Sequence, residues 1–189
     1  MLARSLFASA CLFFSFQASA QHVDTAWVRA YDAPFGGPDA AQFVAIDGSG
    51  NSYVAGTVAA NGSDDIAVIK YSPNGTLVWE SYYNGPSSGP DVPADLVVDS
   101  QGNAIVTGWS QGTTTSADIV TIKYLASGDT AWVRRLDRAH QVDQGTAVAV
   151  DKDGNVIVTG YTSISSVTEI VRIKYSPTGS TMHRRRERR

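Results

Sequence analysis

The chain repeats itself three times at a spacing of 52 residues. Gly50-Asn51, Gly102-Asn103 and Gly154-Asn155 recur at that interval, as do Asp47, Asp99 and Asp151, and Gly56, Gly108 and Gly160. Self-similarity at such a period means one supersecondary unit stacked or set in a ring, because each unit needs its neighbours to cover its apolar face. The period therefore constrains architecture before any single motif does.

Within each copy the pattern is that of strands and turns. A run centred on tryptophan comes first: Thr25 to Arg29, Thr76 to Glu80 and Thr130 to Arg134. β-Branched, aromatic-rich runs of this length predict strands. An apolar segment follows (Phe43 to Ile46, Leu96 to Val98, Ala147 to Val150) whose lack of alternation predicts a strand buried on both faces. Next come an Asp-x-x-Gly-Asn turn and a second strand ending at Gly56, Gly108 or Gly160. The third strand runs over Asp65 to Tyr71, Asp118 to Tyr124 and Glu169 to Tyr175. One side of it is apolar in all copies; the other carries Val68, Thr121 or Arg172 and ends in Lys70, Lys123 or Lys174, which predicts partial access to solvent. Four strands in about fifty residues make one propeller blade. The expected fold is all-β: a partial β-propeller of about three four-stranded antiparallel blades, with repeats at 24–75, 76–128 and 129–179 inside a body of 21–179.

This succession of a tryptophan strand, an Asp47-Gly48-Ser49-Gly50-Asn51 turn before Tyr53-Val54-Ala55-Gly56, and Ile69-Lys70-Tyr71-Ser72-Pro73-Asn74-Gly75 before Leu77-Val78-Trp79 resembles the bacterial SBBP (beta-propeller) repeat family. The resemblance covers residues 24 to 179. It implies a propeller in which the Asp-to-Gly-Asn strand is innermost and the tryptophan strand outermost, in an exported or surface protein, and it implies no particular activity. Propellers close with four to eight blades. Three repeats are expected to leave two blade faces uncovered, and Met182 to Arg189 stand where a further tryptophan strand is expected. A tail over 180–189 without strand pattern, or a truncated gene, accounts for that departure.

The first twenty residues read as an export signal. Arg4 precedes the apolar Leu6 to Phe16, and Ala18-Ser19-Ala20 offers a small-residue cleavage site before Gln21. The run is shorter than the roughly 20 apolar residues a membrane span needs. Lipidation at Cys11 is the alternative, disfavoured by Leu12-Phe13-Phe14 after it. Cleavage after Ala20 removes the single cysteine, so a periplasmic, extracellular or cell-surface product relies on packing rather than disulfides. Charge is segregated as well: without Arg4 and the tail 184–189, nine basic residues face seventeen acidic ones. A body this acidic excludes nucleic acid as a partner.

Chemistry-bearing constellations are few. Asp151, Asp153 and Asn155 resemble a fragment of a calcium loop, but the equivalent turns lack the second carboxylate, so a hairpin turn with Asp capping amides and Gly and Asn at positive φ is the stronger reading and no metal is expected. Tryptophans 27, 79 and 132 recur at one place per repeat, which favours packing between blades over a sugar or cofactor platform. Quinone-cofactor propellers also carry Gly before a tryptophan strand, but no carboxylate or basic cluster supports a cofactor here. His22, His140 and His183 and the serines form no nucleophilic arrangement.

Repeat lengths differ in two places only. From glycine to the acid of the third strand the spacing is 9, 10 and 9; from tryptophan to Asp39, Asp91 or Asp143 it is 12, 12 and 11. In a propeller both connections emerge on one rim, and a variable rim on a constant scaffold is where binding loops sit. The candidate surface spans 31–38, 57–64, 82–90, 109–117, 136–142 and 161–168, with Phe35, Trp109, His140 and Tyr161 as its candidate contacts. The expected function is a non-catalytic binding or surface-interaction module, free of cofactor and of any membrane span. Its partner would be a protein or glycan, with self-association through uncovered blade faces. The alternative is a fragment of a larger propeller enzyme whose catalytic residues lie outside this sequence.

Overall fold

The computed structural model describes residues 26–60, 62–138, 140–165 and 167–182. The expected export signal at 1–20 and the basic run at 184–189 lie outside the described residues. Eleven strands and no helix are present among them, so no described helix is long and apolar enough to cross a membrane.

The strands form three antiparallel sheets. Blade 1 is β1 (Asp39–Ile46), β2 (Ser52–Ala60), β3 (Ser63–Tyr71) and β4 (Leu77–Tyr83), in that spatial order. Blade 2 repeats it with β5 (Asp91–Val98), β6 (Ala104–Gln111), β7 (Ala117–Tyr124) and β8 (Thr130–Leu136). Blade 3 has β9 (Asp143–Val150), β10 (Val156–Ile164) and β11 (Val167–Tyr175). The result is an open set of partial propeller blades, of four, four and three strands. In the third blade the last described residues start to pair as an outer strand: Thr181 bridges to Tyr175 and the Met182 N–H donates to the Lys174 carbonyl at 2.8 Å. Pairing thus extends past Gly179 into the segment expected to be an unpaired tail.

Two apolar layers join the blades. Tyr53, Ile66 and Val68 of blade 1 meet Leu96, Val106, Val120 and Ile122 of blade 2. One period later Ile105 and Ile119 of blade 2 meet Val148, Val156, Val158 and Ile173 of blade 3. Burying each such side chain is worth roughly 1.5–3 kcal/mol, and the central blade is covered on both faces.

Several expectations change. The inner strands are not all buried on two faces: Val44 and Ile46 of β1 are each 69% exposed, because one face of blade 1 meets no neighbouring blade among the described residues. The lysine side of the third strand does not reach solvent in blades 1 and 2. Lys70 and Lys123 are buried there by the following blade, with Val68 and Thr121 beside them. Lys123 is paired with Asp99 at 2.9 Å, and Lys70 lies 4.9 Å from the centre of the Tyr53 ring. A long aliphatic stem packs well there once its ammonium has a partner.

The described part of the first tryptophan run is not a strand, since residues 26–30 pair with no other described residue. Its side chains nevertheless stand where an outer strand's would. Trp27 Nε1 donates to the Pro73 carbonyl (3.1 Å), as Trp79 does to Ala126 (3.0 Å) and Trp132 to Pro177 (3.0 Å). Arg29 Nε donates to the Gly75 carbonyl (2.7 Å), as Arg134 does to Gly179 (2.6 Å). Residues 26–33 therefore lie on blade 1 as β4 lies on blade 2.

Candidate functional site

The two rims of the blades are built on different principles. On the constant rim each inner hairpin closes on an aspartate. Asp99 Oδ1 accepts the amides of Gln101 (2.9 Å) and Asn103 (3.0 Å), Oδ2 accepts the Asn103 side-chain amide (2.9 Å), and Asp47 and Asp151 do the same. Gly102 turns the chain at φ 76°. The asparagines are not at positive φ; their amides hold the aspartate instead. The ammonium of Lys174, with Asn155 and the local amides, keeps the Asp151 carboxyl below the usual carboxylate range. Asp153 is exposed and pairs with Lys152. Asp151, Asp153 and Asn155 are thus a hydrogen-bonded turn whose Asp151 oxygens are already engaged by N–H groups.

On the variable rim a second aspartate opens each inner strand and holds the loop arriving from the preceding outer strand. Asp39 Oδ2 accepts the Ala33 amide (2.6 Å), Asp91 that of Gly85 (2.6 Å) and Asp143 that of Arg138 (2.5 Å). A third acid, Asp65 or Asp118, opens the third strand beside it and is equally buried. Asp39 Oδ1, Asp65 Oδ1, Asp91 Oδ1, Asp118 Oδ1 and Asp143 Oδ1 are enclosed without a hydrogen-bond partner. Burial, then the charges of Asp91 and Asp64, push the Asp65 carboxyl up to about 6. Burial likewise raises Asp91 and Asp143. Arg135 supplies counter-charge in blade 2, bonding Asp118 Oδ2 at 2.7 Å and the Ser110 side chain.

Asp118, Asp137 and Asp143 bring one carboxylate oxygen each within 4.8 Å of one another, the closest approach to a cation-binding set among the described residues. Much of its capacity is spoken for. Arg135 and Thr115 hold Asp118 Oδ2, and His140 holds Asp137 through its backbone N–H and Nδ1 at 2.8 Å. Asp118 and Asp143 serve in the sequence only as spacing marks, and the recurrence of an acid at their positions in every repeat is the available signal for a structural role.

The four candidate contacts all lie at this rim but on separate elements. Phe35 sits in the turn before β1 with 43% of its surface exposed, edge-on to Tyr82 at 5.2 Å. Trp109 lies near the end of β6, opposite Val92 and Ile119. Tyr161, its counterpart on β10, donates to Gln144 Oε1 at 2.7 Å. His140 stands in the β8–β9 loop at φ 55°. They are an array along one edge of the blades.

Residues 131–166 match the family model described as a beta-propeller repeat, SBBP. The matched stretch runs from the outer strand of blade 2, across the Asp143 loop and the Asp151 turn, to the end of β10. No curated protein was found similar to the chain.

Proposed function

We propose that this propeller-repeat chain is an exported, non-catalytic binding module whose variable rim engages a protein or glycan, and whose uncovered blade faces associate with further protein. One observation carries the rim reading. The Asp47, Asp99 and Asp151 turns keep one hydrogen-bond pattern in all three blades, whereas the connections at the opposite rim differ in length and side chains. A rigid scaffold presenting unlike loops on one edge is the arrangement that carries recognition rather than packing. Aromatic and hydroxyl groups at Phe35, Trp109 and Tyr161 suit the flat apolar faces of sugars or peptide side chains.

Export follows from the apolar Leu6 to Phe16 and the Ala18-Ser19-Ala20 site. Mass spectrometry of secreted material is expected to give an N-terminus at Gln21 and no cysteine; a lipid-bearing Cys11 would refute this. For the rim, an immobilised oligosaccharide panel and a surface-protein extract are the probes. Phe35→Ala with His140→Ala is expected to weaken binding at least tenfold without moving the melting temperature. Unchanged binding by both variants would refute the rim as the recognition surface.

A further inference from the structure

Two surfaces of this chain are the separated halves of a contact that it already makes twice. On the outward side of blade 1, Trp27, Val44, Val54, Ile69 and Tyr71 line an open concavity of about 420 Å³. The equivalents of Val44 and Val54 in blades 2 and 3, Leu96, Val106, Val148 and Val158, are buried against the preceding blade, Val106 and Val158 completely so. On the outward side of blade 3, Ile170 is 91% exposed, although its equivalents Ile66 and Ile119 are fully buried against the following blade. Blade 1 therefore presents a receiving face, and blade 3 the face that fills one.

The strand edges match in the same way. Residues 26–30 are docked on blade 1 as an outer strand would be but pair with no other described residue. Among the described residues the outer edge of β11 is paired only at Tyr175 and Lys174. In the other blades this edge carries Trp79 opposite Lys70, and Trp132 opposite Lys123.

We infer that two copies of this chain join head to tail into a closed ring of six blades, each lending residues 26–31 as the outer strand of the other's third blade. This gives a specific occupant to the blade-face association proposed above and is independent of the rim. The repeat register sets Trp27 opposite Lys174 of the second copy, where it takes the place of Thr181 and Met182, with Val28 opposite Ile173 and Ala30 opposite Val171. The main-chain pairing is strand addition to an open sheet edge, and Ile170 enters the concavity beside Val54 and Ile69. A head-to-tail contact closes if its rotation allows and otherwise grows without end; six blades fall in the range that closes. One pair in the register is repulsive, since Arg172 meets Arg29, where the equivalent residue of blade 2 is Thr121.

Sedimentation equilibrium of the full chain as purified after export is expected to show two copies per particle and nothing larger. Ile170→Asp changes a residue that is exposed in the single chain, so it should keep the circular dichroism and yield a monomer; Arg172→Thr should tighten the pair at least tenfold. Ala30→Cys combined with Val171→Cys should give a disulfide-linked dimer, whereas Ala30→Cys with Thr168→Cys, out of register, should not. A monomer at every concentration, open-ended growth, or a dimer indifferent to Ile170→Asp would each overturn the ring. Because none of these substitutions lies at Phe35 or His140, a dimer without ligand binding would count against the rim and leave the ring standing.

Discussion

The indole of Trp79 lies directly against Gly128, one blade away and 49 positions along the chain. A Cβ placed on Gly128 would come within 2.8 Å of Trp79 Cγ, and the glycine holds φ at 97°. Trp27 and Gly75, and Trp132 and Gly179, make the same contact. Each tryptophan run is thus locked into the tight turn that follows the third strand of the blade it packs on. The repeat spacing of tryptophan records this lock.

Gly128→Ala is expected to destabilise by about 2–4 kcal/mol, from positive φ and from displacement of the indole together. Trp79→Ala removes the same lock from the other side and is expected to cost about 3–5 kcal/mol. Because both act on one contact, the double variant should lose clearly less than the sum in chemical denaturation. Full additivity would show that the two residues act independently.

Gly108 is held to glycine by crowding within its own blade. Its φ is not positive, and the neighbour is not another blade. The bulge between Pro93 and Asp95 in β5 brings the inner strand of the same blade so close that a Cβ on Gly108 would overlap the Val92 carbonyl and lie 2.9 Å from Pro93 Cα. Gly56 and Gly160 face the same crowding from β1 and β9. Gly108→Ala should therefore cost about 2–3 kcal/mol although it adds a single methyl group, because backbone must move. A denaturation midpoint within error of the parent would refute the close approach.

Much of this was legible because it is periodic. Recurrence of Trp79, Asp99 and Gly108 fixed the strand order and the constant turns, since a repeated role leaves a repeated residue. Burial was less legible, because it depends on what the neighbouring blade supplies. Lys123 looks like a surface residue in its strand, yet Asp99 lies across from it only after the inner hairpin has folded back. Val44 looks like core, yet among the described residues the face it lies on meets no further blade. The rim acids were the least readable: Asp65 and Asp91 are far apart in sequence and become a pair only when two blades pack.

Asp99 and Lys123 form the most enclosed ion pair among the described residues, with both side chains 6% exposed. Burial alone would raise the Asp99 carboxyl, but Lys123, the Asn103 side chain and the Asn103 amide outweigh it and hold the group below its usual range. Asp99→Asn leaves a buried ammonium unpaired and is expected to cost about 3–5 kcal/mol. Lys123→Met should cost less, since Asp99 keeps its bonds to Gln101 and Asn103. Combining the two should recover part of the loss, measured as the midpoint in urea; a double variant worse than Asp99→Asn alone would refute the pairing as the source of the cost.

The rim acids give the opposite dependence on pH. Asp65 holds its proton up to about pH 6, against an ordinary value of 3.8, because burial and then the neighbouring Asp91 and Asp64 disfavour its charge. The native state therefore binds the proton more tightly than the unfolded chain does. Its contribution is fully present below about pH 4 and is lost as pH rises from about 4 to about 6. Asp47, Asp99 and Asp151 have lowered values and act in the other sense, losing their contribution as pH falls below about 4. Replacing Asp65 by Asn keeps the shape and removes the charge, so the variant should gain about 1–3 kcal/mol at pH 7.5 and nothing at pH 4. Thermal melts at the two values provide the measurement, with a rise of about 2–12 °C expected at the higher pH only. Equal destabilisation at both would mean that the Asp65 carboxylate is held by hydrogen bonds and is not under strain.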